Sequence, residues 1–476
     1  MMTDLSLAPD LPDTLAWVNC GPVRLETLRG RVLALVFWHA GSASSANLLA
    51  ELAQLQMTYA DGLRVIGLHV PRFDAQRDPE FVAHAVNRLG VRFPVASDPD
   101  AVTWQHYGIR AWPTVALVDV EGRLVELIAG DHQLELLDQR IASLLEDAGE
   151  RGLRIFENAQ AVSHPEPLTE VAFPAGLAVT SDRLHVSDSG HHRVLECDHQ
   201  GRVLRVFGSG SAGLADGLGL AAAFHSPCGL ARVGNTLYVA DTGNHAIRQV
   251  QLETGEVGTL VGCGQAGVVR ASPDVRREQV RLDRPCGVAA DGSSLFIAMT
   301  ASNQIWVLNL SSFSLHPLAG SGRMGTGDGV GALAEFAQPA GMMLASECLY
   351  VCDSLSSALR RVRVKDGSVD TLIGRGLFEF GDEEGDRDLA LLQYPLDVAL
   401  DPTAPMLWIA DSYNNAIGGW HLEGGGLVRF PLDHALRCPS AIASSGAHLW
   451  IANTDAHEVL RMDVASGEIV VLPMSP

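Results

Sequence analysis

The chain has 476 residues, of which 47% are hydrophobic and 19% charged, and its formal net charge is −22 at pH 7. This length predicts two domains, one of them large, with enough apolar side chains for well-packed cores. The acidic balance argues against a nucleic-acid partner, because binding to phosphates needs a concentrated positive face.

The beginning of the chain, from Met1 to Asp13, contains neither a basic region nor an apolar core. We therefore expect no signal peptide. No apolar run elsewhere approaches the length of a membrane span. We expect a soluble, cytoplasmic protein with no membrane association.

The next stretch alternates apolar strands with amphipathic helices. Residues 31–38 form a continuous apolar run suited to a buried central strand, and the leucines between Leu48 and Leu55 have helical spacing. We predict strands over residues 31–38, 63–70, 114–118 and 124–128, and helices over residues 44–60, 79–89, 100–107 and 134–145. This order predicts an α/β domain over residues 1–148, followed by a linker over residues 149–168.

Four motifs give this domain a resemblance to the thioredoxin fold: Trp17-Val18-Asn19, Leu28-Arg29-Gly30-Arg31-Val32, Phe37-Trp38 and Trp112-Pro113-Thr114. In that family the Phe-Trp pair leads into a C-x-x-C redox pair, and a later cis-proline faces the pair. The resemblance places the two redox positions at Ser42 and Ser45 and the cis-proline at Pro113.

Neither redox position holds a cysteine, and no cysteine lies between Cys20 and Cys197. Disulfide exchange needs a thiolate as nucleophile and a second thiol to resolve the mixed disulfide. We therefore expect the domain to be redox-inactive. The irregular spacing of the eight cysteines also argues against a disulfide framework or a zinc ribbon.

The remainder, residues 169–476, repeats one pattern six times. Each unit has a proline and a hydrophobic run, then an apolar strand that mostly ends in Asp, then a turn of small, Asn or His residues. The prolines, spaced by 44 to 58 residues, are Pro174, Pro227, Pro285, Pro339, Pro395 and Pro439. This period, with several short strands per unit, predicts an all-β six-bladed propeller. Gly-rich segments such as residues 208–224 and 320–336 are predicted to link the outer strand of one blade to the inner strand of the next.

The repeat resembles that of the NHL-repeat family, which reads proline-x-glycine-hydrophobic, then an apolar-Asp strand end, then Asn-His or Asn-Arg. With the thioredoxin-like domain before it, the chain is similar to the family of NHL-repeat-containing protein two and its bacterial relatives. This resemblance implies a role in cell redox homeostasis, whereas the serines at positions 42 and 45 argue against that role.

Two columns of the aligned repeat contain polar side chains. The turn column is His192, His245, Asn303, Ser357, Asn415 and His457, and the strand-end column includes Asp188, Asp241, Asp353 and Asp411. Metal or acid/base sites use such residues, but one polar side chain per blade is also what each repeat needs to satisfy its loop backbone. We interpret both columns as structural and predict no metal site.

Cys228 and Cys286 occupy the same position in neighbouring repeats, just after the proline and near the inner rim. A disulfide needs Cα atoms within about 7 Å. We expect the inner strands of adjacent blades to stand farther apart, and therefore predict two free thiols.

We predict a non-catalytic binding or scaffold protein without a cofactor, whose propeller presents a loop face to a protein partner or a small ligand. The turns after the strand-end Asp residues and the blade links are expected to open toward this one face. The candidate binding residues are Tyr413, Asn414, His191 and His245. Tyr413 is either an exposed aromatic anchor or a side chain that packs on the neighbouring blade, and the sequence leaves both interpretations open. The alternatives are a thiol–disulfide or peroxide-linked oxidoreductase and a metal-dependent propeller hydrolase or lyase.

Overall fold

The structure, a computed structural model, describes residues 6–153, 169–267 and 277–475. The chain divides into two compact units, Met1–Pro167 and Leu168–Pro476. Of the predicted linker, Gly149 and Glu150 belong to the last helix of the first unit, and residues 154–168 lie outside the described residues. Within the described ranges, no helix has the length and apolar character that crossing a membrane requires.

The first unit contains a mixed sheet with the strand order β1-β4-β3-β2-β5-β6. Its elements are β1 (Ala16–Trp17), β2 (Val32–Trp38), α1 (Ala43–Thr58), β3 (Leu63–His69), α2 (Pro79–Arg88), β4 (Val95–Ser97), α3 (Val102–His106), β5 (Thr114–Val118), β6 (Leu124–Ala129) and α4 (Leu134–Glu150), with 3₁₀ turns at Leu25–Leu28 and Asp74–Arg77. Strand β3 runs parallel to β2 and β4, and the other pairs are antiparallel. The predicted thioredoxin-like α/β fold is confirmed. The prediction omits β1 and β4, which are too short to give a periodic pattern.

Strand β2 is central because all seven of its side chains are buried. Successive side chains of a strand point to opposite faces of the sheet. One set, which includes Val36, packs against the leucines of α1 and α4. The other set, which includes Phe37, packs against Tyr107 and Ile109, which follow α3. A strand covered on both faces reads as a continuous apolar run, as the sequence does here.

The second unit is a six-bladed propeller, as predicted. Blades one to three are β7 (Pro174–Val179), β8 (Leu184–Asp188), β9 (Arg193–Cys197) and β10 (Val203–Phe207); β11 (Gly217–Leu218), β12 (Pro227–Val233), β13 (Thr236–Asp241), β14 (Ala246–Gln251) and β15 (Glu256–Gly262); and β16 (Pro285–Ala290), β17 (Ser294–Met299), β18 (Gln304–Asn309) and β19 (Leu315–Ala319). Blades four to six are β20 (Gly329–Val330), β21 (Pro339–Ala345), β22 (Cys348–Asp353), β23 (Ala358–Arg363) and β24 (Ser368–Ile373); β25 (Pro395–Leu400), β26 (Met406–Asp411), β27 (Ala416–His421) and β28 (Gly426–Arg429); and β29 (Pro439–Ser445), β30 (His448–Asn453), β31 (Glu458–Asp463) and β32 (Ile469–Val471). Short 3₁₀ helices lie at Gly219–Ala221, Thr242–Asn244, Arg277–Gln279, Gly331–Leu333, Ser354–Ser356, Ser412–Asn414 and Thr454–Ala456.

The repeated proline begins the innermost strand of every blade. It pairs with the last residue of the second strand, and the six pairs are Pro174 with Asp188, Pro227 with Asp241, Pro285 with Met299, Pro339 with Asp353, Pro395 with Asp411, and Pro439 with Asn453. The strand-end turn and the entry of each inner strand therefore lie at the same end of the blade. We call this end of the propeller the loop face.

A Ser or Thr that follows the second strand joins each blade to the next. Its hydroxyl donates a hydrogen bond to the carbonyl of the next blade's proline, in the pairs Ser189–Pro227, Thr242–Pro285, Thr300–Pro339, Ser354–Pro395, Ser412–Pro439 and Thr454–Pro174. Apolar clusters also combine side chains of neighbouring blades, including the first and the last. The predicted stacking of the repeats is confirmed.

The glycine of the proline-x-glycine motif lets neighbouring inner strands approach closely. A Cβ added at Gly176, Gly229 or Gly287 would overlap the carbonyl oxygen of Cys228, Cys286 or Ala340 in the next blade, respectively. A side chain at these positions would force the strands apart. The expectation that the inner strands stand apart near Cys228 and Cys286 is therefore wrong.

Candidate functional site

The former redox positions lie at the start of α1. Ser42 is the N-cap of this helix, and its Oγ accepts a hydrogen bond of 3.0 Å from the backbone N–H of Ser45. The buried Oγ of Ser45 has no hydrogen-bond partner among the described residues. The peptide bond between Trp112 and Pro113 is cis, as the resemblance implies. The backbone features expected of a thioredoxin site are present, but two hydroxyls replace its two thiols.

Two buried histidines near this position were not predicted. The ring of His39 lies 5.3 Å from that of Trp112, and the ring of His69 lies 4.9 Å from that of Trp38. Burial lowers the pKa of His69 to about 3 and holds the pKa of His39 well below its usual range, so both rings are neutral. In the part of the chain that the structure describes, neither ring hydrogen-bonds to Ser42 or Ser45. The site therefore lacks a serine activated by a histidine.

The strand-end column has the structural role that we predicted. In five of the blades the side chain accepts a backbone N–H from the link that precedes its own blade: Asp188 from Ala172, Asp241 from His225, Asp353 from Ala337, Asp411 from Gln393, and Asn453 from Arg437. The second carboxylate oxygen pairs with an arginine, as in the buried Arg248–Asp241 contact of 2.9 Å. Each of these carboxylates therefore binds a backbone N–H and an arginine within the propeller.

The turn column joins adjacent blades. Each of its side chains accepts the backbone N–H of the residue before the next proline: His192 from Ser226, His245 from Arg284, Asn303 from Gln338, Ser357 from Tyr394, Asn415 from Cys438, and His457 from Phe173. All six residues have positive φ. The structural interpretation of this column is confirmed, and His245 is an inter-blade contact.

The candidate binding residues are more buried, or more engaged in contacts within the propeller, than we expected. Tyr413 is only 4% exposed, and its ring stacks on Tyr394 at 4.3 Å, so the interpretation as an exposed anchor is wrong. Asn414 donates hydrogen bonds to Asp411 and to the carbonyl of Gly381. His191 contacts Asp188 at 3.0 Å but keeps part of its ring exposed. None of these contacts tests binding itself, but they remove Tyr413 as a surface anchor.

The blade links expose apolar side chains instead. We define the link surface as the exposed large apolar residues in the links that lead into blades two and four: Leu214, Leu218, Leu220, Met324, Val330 and Leu333. The two links have the same design, a short strand followed by a 3₁₀ turn.

The links do not all open toward the loop face. Strand β11 pairs with Glu256 and Val257 at the start of β15, whereas the loop-face end of β15 is Gly262. Strand β20 pairs with the start of β24 in the same way. The expectation of a single face is therefore wrong for these links, because an extra strand carries them along the outer edge of the blade.

The inner strands of all six blades enclose an axial cavity of about 360 Å³. Cys228 and Cys286 line it from adjacent blades, and both are half-buried cysteines that form no disulfide in the part of the chain that the structure describes. Interaction with the neighbouring thiol of Cys228, together with burial, raises the pKa of Cys286 well above its usual range.

Asp397 places a carboxylate in the same cavity, at the position where four other blades have glycine. It accepts a hydrogen bond of 3.0 Å from the backbone N–H of Ile442. Burial raises the pKa of Asp397 to about 7, and nearby Cys228 adds to the rise. Sequence reasoning missed this residue, although the departure from glycine in the third motif position was the available signal.

Comparisons with known proteins cover both units. A family model described as Redoxin matches residues 6–142. NHL repeat-containing protein 2 of Homo sapiens is 32% identical over 524 residues, which cover 99% of this chain and 72% of that protein. Protein SUPPRESSOR OF QUENCHING 1, chloroplastic, of Arabidopsis thaliana is 32% identical over 434 residues, covering 86% of this chain and 41% of that protein. Thiol-disulfide oxidoreductase ResA of Bacillus thuringiensis (strain Al Hakam) is 30% identical over 117 residues, covering 24% of this chain and 65% of that protein.

Proposed function

The chain belongs to the family of NHL repeat-containing protein 2, and on this premise we propose that it is a non-catalytic binding protein whose propeller recognises a protein partner. The thioredoxin-like unit has no catalytic part in this proposal. The observation that carries the proposal is the pair of equivalent links that expose apolar side chains on blades two and four.

The first unit supports a role without thiol chemistry. The name of the ResA relative describes thiol–disulfide exchange, and this reaction needs an attacking and a resolving thiol. Ser42 and Ser45 stand at the two positions, and the hydroxyl of Ser42 is engaged in capping α1. A serine hydroxyl has no comparable redox chemistry, so we do not extend the exchange reaction to this chain.

The link surface has the properties of a protein-binding site. Leu220 is 65% exposed and Leu333 is 80% exposed, although both follow short strands that anchor the link to its blade. Exposed apolar residues are ordinary when single, but grouped ones mark interaction sites. Here they recur on two blades in the same local structure, so a partner can meet preformed apolar groups on a rigid ring.

The chemistry of the surface indicates a partner with exposed apolar side chains. The net charge of −22 would also favour a partner with a basic surface, because complementary charge steers association. A small polar ligand is less suited to this surface, because exposed apolar side chains offer it no hydrogen-bonding groups.

The test compares proteins captured from a lysate of the source organism by three baits. The baits are the wild-type chain, the double variant Leu220→Asp with Leu333→Asp, and a control, Leu127→Asp, which changes an exposed leucine of β6 in the first unit. We expect at least one protein whose recovery falls about tenfold or more with the double variant, because each hot-spot side chain contributes more than about 1 kcal/mol. The control should capture it as the wild type does. Equal recovery with wild type and double variant for every captured protein would contradict the proposal.

A further inference from the structure

We propose that Cys228 and Cys286 form a reversible disulfide between blades two and three when a hydroperoxide or a low-molecular-weight disulfide enters the axial cavity. The proposal concerns a thiol pair far in sequence from Ser42 and Ser45. It is independent of the link surface, and its test can fail without affecting the proposed binding function.

Three geometric observations carry the proposal. Cys228 and Cys286 are the second residues of β12 and β16, the inner strands of adjacent blades. Both side chains line the cavity and are half-buried rather than sealed. The backbones are also close, because a Cβ added at Gly229 would overlap the carbonyl oxygen of Cys286. A disulfide needs its two Cα atoms within about 7 Å, and closely spaced inner strands favour such a separation.

The surroundings distinguish this pair from the other cysteines. Cys197, Cys352 and Cys438 are buried, while the half-buried Cys20, Cys263 and Cys348 lie outside the cavity lining. The cavity of about 360 Å³ has room for a small oxidant, since one water occupies about 30 Å³ of liquid volume. A small reagent can therefore reach the pair while the propeller stays folded.

The reaction with a hydroperoxide balances without another reagent. The sulfur of one thiol attacks a peroxide oxygen, the O–O bond breaks, and a sulfenic acid forms with release of one water from hydrogen peroxide, or of the alcohol from an organic hydroperoxide. The sulfur of the second thiol then attacks the sulfenic sulfur, the S–O bond breaks, and a second water leaves as the S–S bond forms. With hydrogen peroxide, the two thiols lose two electrons to the peroxide, and their two protons leave in the two waters. With a small disulfide, two thiol–disulfide exchanges give the same bond and release two small thiols.

The electrostatics of the cavity predict that oxidation is slow at neutral pH. The thiolate is the reactive form. The contact with Cys228, burial and the carboxylate of Asp397 all raise the pKa of Cys286, while Arg284 opposes them. The reduced pair is therefore mostly protonated, and we expect disulfide formation over minutes to hours, as for unassisted thiol oxidation.

The experiment uses the full chain, reduced and then incubated with hydrogen peroxide or oxidised glutathione. After alkylation in denaturant and proteolysis, mass spectrometry identifies linked peptides. We expect a Cys228–Cys286 peptide in most chains, lost on reduction with dithiothreitol. Cys228→Ala should remove it, and this variant should fold because alanine has the same place in blades one and four, at Ala175 and Ala340. Cys263→Ala is the matched control and should leave the yield unchanged.

A second probe tests the proximity of the thiols without an oxidant. Phenylarsine oxide bridges two adjacent thiols, so it should protect Cys228 and Cys286 together from alkylation in the wild type, and neither thiol in the single variants. Two outcomes overturn the proposal: recovery of the two cysteines only as separate mixed disulfides or sulfonic acids, or failure of the arsenical to protect them.

Discussion

Thr454 in the last blade donates a hydrogen bond of 2.8 Å from Oγ1 to the carbonyl oxygen of Pro174 in the first blade. Beside it, the backbone N–H of Phe173 donates to Nδ1 of His457 at 3.1 Å. Equivalent contacts join all five remaining pairs of neighbouring blades. The first and last sheets share no strand. The ring therefore closes through the ordinary inter-blade contacts of the repeat.

Removing the hydroxyl of Thr454, which joins the last blade to the first, should lower the stability of the propeller measurably. We expect Thr454→Val to lower the free energy of unfolding by about 1 kcal/mol, because a buried carbonyl loses a hydrogen bond while the shape of the side chain is kept. Thr242→Val removes the equivalent bond to Pro285 within the ring and should have a similar effect. Denaturant unfolding of both variants measures this. Unchanged stability for both would mean that these hydroxyls do not hold the blades together.

Substitution of the glycine in the proline-x-glycine motif should destabilise the propeller, because the neighbouring inner strand leaves no room for a side chain. Gly176→Ala would push a Cβ into the carbonyl oxygen of Cys228, so we expect a loss of roughly 1–3 kcal/mol, the usual cost of overpacking. Gly258→Ala is the control, since its nearest neighbour is the end of Gln249 at 3.8 Å. The control should change stability by less than about 0.5 kcal/mol. Equal effects in thermal unfolding would show that close approach of the inner strands is not what requires glycine.

The buried Arg248 should matter more than a surface arginine. Its guanidinium contacts Asp241 at 2.9 Å and Asp216 at 2.8 Å. Arg248→Met leaves the carboxylate of Asp241 buried without its cation, so we expect a loss of about 3–5 kcal/mol. Arg361→Met removes a partly exposed pair with Asp370 and should cost less than about 1 kcal/mol. Chemical denaturation of the two variants side by side tests this difference, and similar losses would contradict it.

Periodicity and repetition predicted the fold and much of its internal chemistry. Six units in register require stacking, and a polar residue at one turn of every unit indicates a backbone role, which Asp241 and His245 have. Burial at the turns could not be predicted in the same way. Tyr413 lies in a polar segment, and its stacking on Tyr394 depends on the path of a link that the repeat does not specify. The contact of Cys228 with Cys286 likewise depends on how far apart the inner strands stand, which the glycines determine only in three dimensions.

Asp397 should make stability depend on pH. Its pKa in the folded chain is about 7, against about 3.9 for an unfolded Asp. The folded state therefore holds the proton more tightly, so stability is greatest below about pH 4, falls as pH rises toward 7, and is then constant. Asp397→Asn cannot ionise, and we expect it to exceed the wild type by about 2–4 kcal/mol at pH 8, with a much smaller difference at pH 4.

Asp401→Asn is a control, because its expected effect on stability has the opposite sign to that of Asp397→Asn. Burial raises the pKa of Asp401, but hydrogen bonds from Thr403, Trp408 and Ala404 outweigh it and leave the pKa lowered. This variant should therefore lose stability at pH 8. Unfolding curves at both pH values measure the two effects, and a stability gain of Asp397→Asn that is the same at pH 4 and pH 8 would rule out titration of Asp397 as its cause.

Thiol turnover is the most direct test of whether the chain acts by binding or by redox catalysis at the thioredoxin-like site. Insulin-disulfide reduction is measured for Cys228→Ala with Cys286→Ala, which removes the thiols of the axial cavity. The same background with Ser42→Cys and Ser45→Cys serves as the positive comparison, because a helix N-terminus lowers a thiol's pKa. We predict that the first protein matches the buffer blank and that the second gains weak activity. Turnover by the first protein well above the blank would contradict the account, because Ser42 and Ser45 would then belong to a catalytic chain.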